Sequence, residues 1–252
     1  MNFHYLTRKN YFCRLKLKVM VMKKHEEISG DQRLENIGET LSNTEQFIFN
    51  NQKYIGTGIV VIIIVILGFF AYGKYYIDPK TTEANEQMFN AQNYFESDSL
   101  DKALYGDGNS LGFIDIISDY SMTKPGNLAN YYAGISFLKK GDFKQAIDYL
   151  GDFSGDDHLI SPMAKGAIGD AYLELGEEDK AAAYYIEAAN MDDNGFTSPL
   201  FLFKAGQVYE LQGKYDKAIT TYTRIKDNYF RSNEGRSIEK YIAQAQALKD
   251  TK

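Results

Sequence analysis

The chain has 252 residues and a formal net charge of −6, from 28 Lys+Arg against 34 Asp+Glu, with 44% hydrophobic and 25% charged residues. That leaves room for one or two domains with a sizeable core. Only 4 Pro exclude a proline-rich or collagen-like chain, 14% aromatic residues argue against disorder over most of the length, and the lone Cys13 allows neither an intramolecular disulfide nor a Cys-based zinc site. The acidic balance argues against nucleic acid as a partner, since phosphate binding needs clustered Lys and Arg.

Residues 1–22 are basic and aromatic without a helical stripe, and Met20 and Met22 offer alternative starts, so no function is placed on His4 or Cys13. Residues 33–52 set Leu34, Ile37, Leu41 and Ile48 at helical spacing, with Thr44 filling the remaining position. This narrow stripe predicts an amphipathic helix that packs on itself, lies on the inner leaflet, or docks on another subunit. Tyr54 to Gly73 is a run of 20 residues without charge, long enough at about 1.5 Å per residue to cross a hydrocarbon layer of about 30 Å. Its Val/Ile content suits lipid, where every backbone group must bond internally, and Tyr54, Tyr72, Tyr75 and Tyr76 stand at the two interfaces. Lys74, Tyr75 and Tyr76 follow where a cleaved signal would carry small residues, so 54–76 reads as an uncleaved transmembrane helix.

Arg33 and Lys53 on one side balance Lys74 and Lys80 on the other, and the first 24 residues, with seven Lys/Arg and no acid, break the tie. The positive-inside rule then makes 1–53 cytoplasmic and 77–252 exported. Asp78, Pro79 and two Thr predict a short break after the span. Beyond it run helix-forming stretches punctuated by Gly, with Ser161–Pro162 and Ser198–Pro199 expected as an N-cap and first helical position. No alternating strand appears, so the exported domain is expected to be all-α.

Three strings superimpose without gaps: GISFLKKGDFKQAIDYL (134–150), GDAYLELGEEDKAAAYY (169–185) and GQVYELQGKYDKAITTY (206–222). Each has Gly (134, 169, 206), an aromatic three residues on (Phe137, Tyr172, Tyr209), Gly four further (141, 176, 213), Ala five further (146, 181, 218), and a bulky last residue (Leu150, Tyr185, Tyr222). Small residues let two antiparallel helices approach, aromatics fill the space beside them, and the middle Gly turns the chain. A single hairpin leaves an apolar face bare, so hairpins must stack. This pattern resembles the tetratricopeptide repeat (TPR). It departs from the family at Asn130, Lys165 and Leu202, where a large aromatic is usual, and in lacking the terminal Pro. Ala91, Tyr94, Leu100 and Ala103 follow the same offsets as a degenerate fourth unit, followed by the insertion 105–112 and a helix over 113–120. A last helix, 232–248, is expected to cap the stack with Ile238, Tyr241, Ile242 and Ala245.

Catalytic signals are sparse. His158 has Asp156 and Asp157 beside it, Asp192, Asp193 and Asn194 form a second acidic loop without calcium-loop spacing, and GDGN (106–109) lacks the strand and Lys of a phosphate loop. No nucleophile has a paired base, so the reading is non-enzymatic, with no catalytic residue, cofactor or metal site. The resemblance implies that the first helix of each hairpin lines a concave groove. By the offset from Gly it places there Tyr131, Ile135, Leu138 and Lys139, then Asp170, Leu173 and Glu174, then Phe203, Gln207 and Glu210. Such a mixed aromatic and acidic surface suits an extended peptide or a helix from a partner.

In the order anchor then exported repeats, the chain also resembles the YfgM-like ancillary subunits of the bacterial Sec translocon. That likeness implies an inner-membrane adaptor that holds periplasmic chaperones or clients near the translocon. An envelope-assembly or cell-division scaffold, and a ligand receptor or enzyme using the acidic loops, are the alternatives.

Overall fold

The computed structural model describes residues 45–251. The expected features at 1–22, and most of the amphipathic stripe at 33–52, lie outside the described residues; 45–50 are helical. The chain divides into two units, one ending at Phe69 and one beginning at Phe70.

Helix α1 (Gln52–Tyr72) carries no buried residue, and its Ile and Val side chains from Ile59 to Leu67 are exposed. It lies in a helical run long and apolar enough to cross a membrane. The predicted break at Asp78 does not occur. A π-helical turn, Gly73–Ile77, leads directly into α2 (Asp78–Glu96), and the Asp78 amide donates to the Gly73 carbonyl, five residues back. The physical reason is local: Pro79 supplies no N–H and crowds the preceding turn, and a π-turn widens the helix where that strain falls.

From Phe70 onward, the described residues are helical hairpins. Helix α2 pairs with α3 (Leu100–Tyr105), and α4 (Phe113–Tyr120) follows the glycine-rich insertion. Three further hairpins are α5 (Lys124–Lys140) with α6 (Phe143–Asp152), α7 (Ile160–Glu174) with α8 (Glu178–Met191), and α9 (Thr197–Leu211) with α10 (Tyr215–Asn228). Helix α11 (Ile238–Asp250) closes the stack. It begins later than predicted, because residues 229–234 and a 3₁₀ turn at Gly235–Ser237 occupy the expected first turn, but its face of Ile238, Tyr241, Ile242 and Ala245 packs on the core as expected.

The repeated sequence positions carry repeated structure. Gly141, Gly176 and Gly213 have φ of +81°, +75° and +67°, and each ends its helix in the same pair of hydrogen bonds: Gly141 N–H to Leu138 O and Asp142 N–H to Phe137 O, with the like pair at the other two. That is the Schellman closure, which needs a left-handed residue. Gly134, Gly169 and Gly206 serve closeness instead. A Cβ there would stand 2.5 Å from Leu150 Cγ, 2.7 Å from Tyr185 Cε1 and 2.2 Å from Tyr222 Cε1, so the bulky residue that ends each string is the one its Gly receives. In the degenerate unit Asp98 takes the left-handed place, at φ 57°, and Ala91 and Ala103 are fully buried.

The expected Ser caps are corrected. Ser161 and Ser198 sit inside the first turns of α7 and α9, buried, while Asp157 Oδ1 accepts from Leu159 N–H and Ile160 N–H (both 2.8 Å) and Asn194 Oδ1 from Phe196 N–H (2.9 Å) and Thr197 N–H (2.7 Å). The carboxylate or amide reaches the free amides from four residues before each Ser, while Ser161 is buried against neighbouring helices and the Ser198 hydroxyl donates to Asp192 O (2.7 Å).

Candidate partner-binding clefts

The first helices of the hairpins, α5, α7 and α9, end near one another, and two clefts open between those ends. The larger, about 520 Å³, is lined by Leu138, Lys139, Lys140, Gly141 and Phe143 on one side and Asp170, Leu173 and Glu174 on the other. The smaller, about 310 Å³, is lined by Leu173, Tyr185, Lys204, Gln207, Val208 and Leu211. Leu173 lines both, so the clefts adjoin one another in the order α5, α7, α9.

The wall between them is held by one polar cluster. Lys204 Nζ donates to both Asp170 oxygens (2.7 and 2.9 Å), the Tyr185 hydroxyl donates to Asp170 Oδ1 (2.5 Å), and the ammonium lies 5.5 Å from the Tyr185 ring centre. Burial, then the Asp170 carboxylate, pushes the Tyr185 hydroxyl pKa far up, which keeps it a donor. Across the larger cleft, Lys139 and Lys140 pair with Asp98 (2.8 Å) and Asp101. The larger cleft therefore carries charge on both sides, Lys139 and Lys140 facing Asp170 and Glu174, around Leu138, Phe143 and Leu173.

Of the ten residues the sequence placed in a groove, Leu138, Lys139, Asp170, Leu173 and Glu174 come together in the larger cleft and Gln207 lines the smaller. Tyr131 packs against Tyr132 and Phe153, with burial raising its hydroxyl pKa, and Ile135 lies against the core. Phe203 packs edge-on against Tyr241, at 4.7 Å. Glu210 is half-buried beside Tyr222, and burial raises its carboxyl pKa against the opposing pull of that hydroxyl. These four line neither cleft.

Sequence reasoning missed Leu211, although it lies five residues after Gly206 as Lys139 and Glu174 lie five after Gly134 and Gly169. It also missed Lys204, Phe143 and Tyr185. The last two are on second helices, and the 34-residue separation of Lys204 from Asp170 carries no local signal.

The acidic loops are occupied in holding units together. His158 Nδ1 and Asp192 Oδ1 are 3.0 Å apart, Asn194 Nδ2 donates to His158 O at 3.2 Å, and the Tyr229 hydroxyl donates to Asp193. Asp157 is held below the usual carboxylate range by the Ile160 and Leu159 amides, and Asp192 by Asn194 and His158. Among the described residues, no group of three or more His, Cys, Asp or Glu could hold a metal ion.

Residues 131–196 match one tetratricopeptide repeat family, and residues 201–229 match a second. This stretch is built of tetratricopeptide repeats. The chain is also similar to a crystal structure of nearly identical TPR-like repeats from Podosopora anserina, with a TM-score of 0.52 over 68% of this chain and 89% of that one. At 10% identity that likeness shows the fold alone. No curated protein matches the chain. TPRs in general bind other proteins, so an interaction scaffold is the class of function the repeats carry.

Proposed function

We propose that this protein is a non-enzymatic, membrane-tethered TPR scaffold, anchored by 54–76 with its N-terminus cytoplasmic and its repeats exported, that binds a segment of a protein partner along the two adjoining clefts. The observation that carries the reading is the shared lining at Leu173, which sets two clefts, each too small for a folded domain, side by side across three first helices. An extended or helical segment fits such a path, with Leu138, Leu173 and Leu211 receiving apolar side chains and Lys139, Glu174 and Gln207 selecting polar ones. The tether rests on α1, whose exposed Ile and Val side chains need a lipid environment. The order of anchor and repeats favours partners at the bacterial Sec translocon or among periplasmic chaperones.

The test is purification of the full-length protein, tagged at its C-terminus, from membranes in mild detergent, with protease access to the tag measured on intact spheroplasts. A tag cleaved from outside together with recovery of translocon subunits or exported chaperones supports the reading. A protected tag overturns the orientation, and recovery of division or outer-membrane assembly proteins instead overturns the assignment of partners.

A further inference from the structure

The starts of α2, α5, α7, α9 and α11 gather at one edge of the TPR unit. Lys80 donates to Asp119 O (3.4 Å) and the Tyr72 hydroxyl meets Met122 Sδ (3.5 Å); Asn127 exchanges hydrogen bonds with Ser154; Asn194 reaches His158 O; and Tyr229 reaches Asp193. At this edge one large apolar side chain per unit projects into solvent. They are Met122, Leu159, Phe196 and Phe230, exposed by 68%, 50%, 60% and 60%, and spaced 37, 37 and 34 residues apart. Capping does not require them, since Asp157 and Asn194 cap α7 and α9. Nor are they folded back as hydrophobic staples, which would bury them. The opposite edge is built differently: Lys139–Asp98, Lys140–Asp101, Lys214–Asp179 and Lys249–Asp216 tie neighbouring units there by ion pairs.

We infer that the apolar edge rests in the interfacial layer of the membrane, with Met122, Leu159, Phe196 and Phe230 as shallow anchors in a zwitterionic lipid surface. The inference rests on reading α1 as a span. What selects lipid as the occupant is continuity: Met122 touches Tyr72, and Tyr72, Tyr75 and Tyr76 are the aromatics that mark the end of that span. Asp156, Asp157, Asp192 and Asp193 border the ridge and outnumber Lys124 and Arg231 beside it, which disfavours an anionic surface and leaves zwitterionic headgroups as the match. The clefts lie at the far ends of the same helices, at Leu138, Leu173 and Leu211, so this placement turns them toward water and an arriving partner.

The sequence contains no Trp, so single Trp substitutions report without background. Full-length Leu67→Trp, Phe196→Trp, Phe230→Trp and Leu211→Trp proteins are reconstituted in phosphatidylcholine vesicles with and without lipids brominated near the headgroup. The expected result is loss of emission with a blue shift at 196 and 230, and unchanged emission at 211. Emission at both 196 and 230 as insensitive to bromine as at 211, while deeply brominated lipid quenches 67, overturns the inference; a second copy covering the ridge would give that pattern too. An unquenched 67 overturns the span reading itself.

Discussion

Gly206 and Tyr222 form a matched pair: the ring occupies the space a β-carbon would need, 2.2 Å from where that carbon would stand. The ring is fully buried and bounded by Phe203 and Tyr241, so it has nowhere to move. Gly206→Ala should therefore destabilise the repeats by about 1–3 kcal/mol through overpacking, seen as a lower Tm, and Tyr222→Leu in the same chain should recover part of the loss. Asp107 makes a second residue-scale prediction. It accepts from the Tyr94 hydroxyl (2.7 Å) and from the Asn109 and Ser110 amides, and these hold its pKa at about 2. A depressed pKa stabilises above the unfolded value and loses that contribution as pH falls through the folded one. The Tm advantage of the wild type over Asp107→Asn should then be constant near neutrality and vanish between about pH 4 and 2. An advantage that persists at pH 2 would show that Asp107 acts through shape and not charge.

At the scale of the element, the hairpins were legible because their demands are local. A left-handed turn, a close helix approach and a ring to fill it recur at fixed offsets, and Gly141, Gly176 and Gly213 with Leu150, Tyr185 and Tyr222 announce them in the sequence. Helix starts were less legible. Ser-Pro is a familiar opening, but Asp157 and Asn194, each four residues before the Ser, reach the amides first, and both Ser side chains are buried inside the first turn. The continuous helix through Pro79 was illegible for a similar reason, since a π-turn that absorbs a proline leaves no composition signature. Of the candidate clefts, Leu138, Lys139, Leu173 and Glu174 lie where the Gly offset places them, whereas Glu210, at the same offset as Leu138 and Leu173, lines neither cleft. The Asp170–Lys204–Tyr185 cluster could not, because it forms only when two units stack. Asn194 bears on both cap and stack, accepting from Thr197 N–H while donating to His158 O. Asn194→Ala should cost about 1–2 kcal/mol, whereas Asn194→Asp, which keeps the cap acceptor, should cost less; equal losses measured by urea unfolding would contradict the capping role.

At the scale of the whole molecule, the proposed anchor and the stack of repeats would together raise local concentration. A partner that binds weakly along a shallow path is held effectively if both are confined to one membrane surface. The partner is proposed to lie along the two adjoining clefts. The most direct measurement places a photo-crosslinking amino acid at Gln207, which is exposed in the smaller cleft, or at Ala183, which is exposed on α8, in the full-length protein in its native membrane. The account predicts a protein adduct from Gln207 that falls about tenfold when Leu173→Glu is added, the loss expected for a central apolar contact, and no such adduct from Ala183. Equal adducts from both positions, or an adduct from Gln207 that is indifferent to Leu173→Glu in a chain of unchanged helicity, would contradict it.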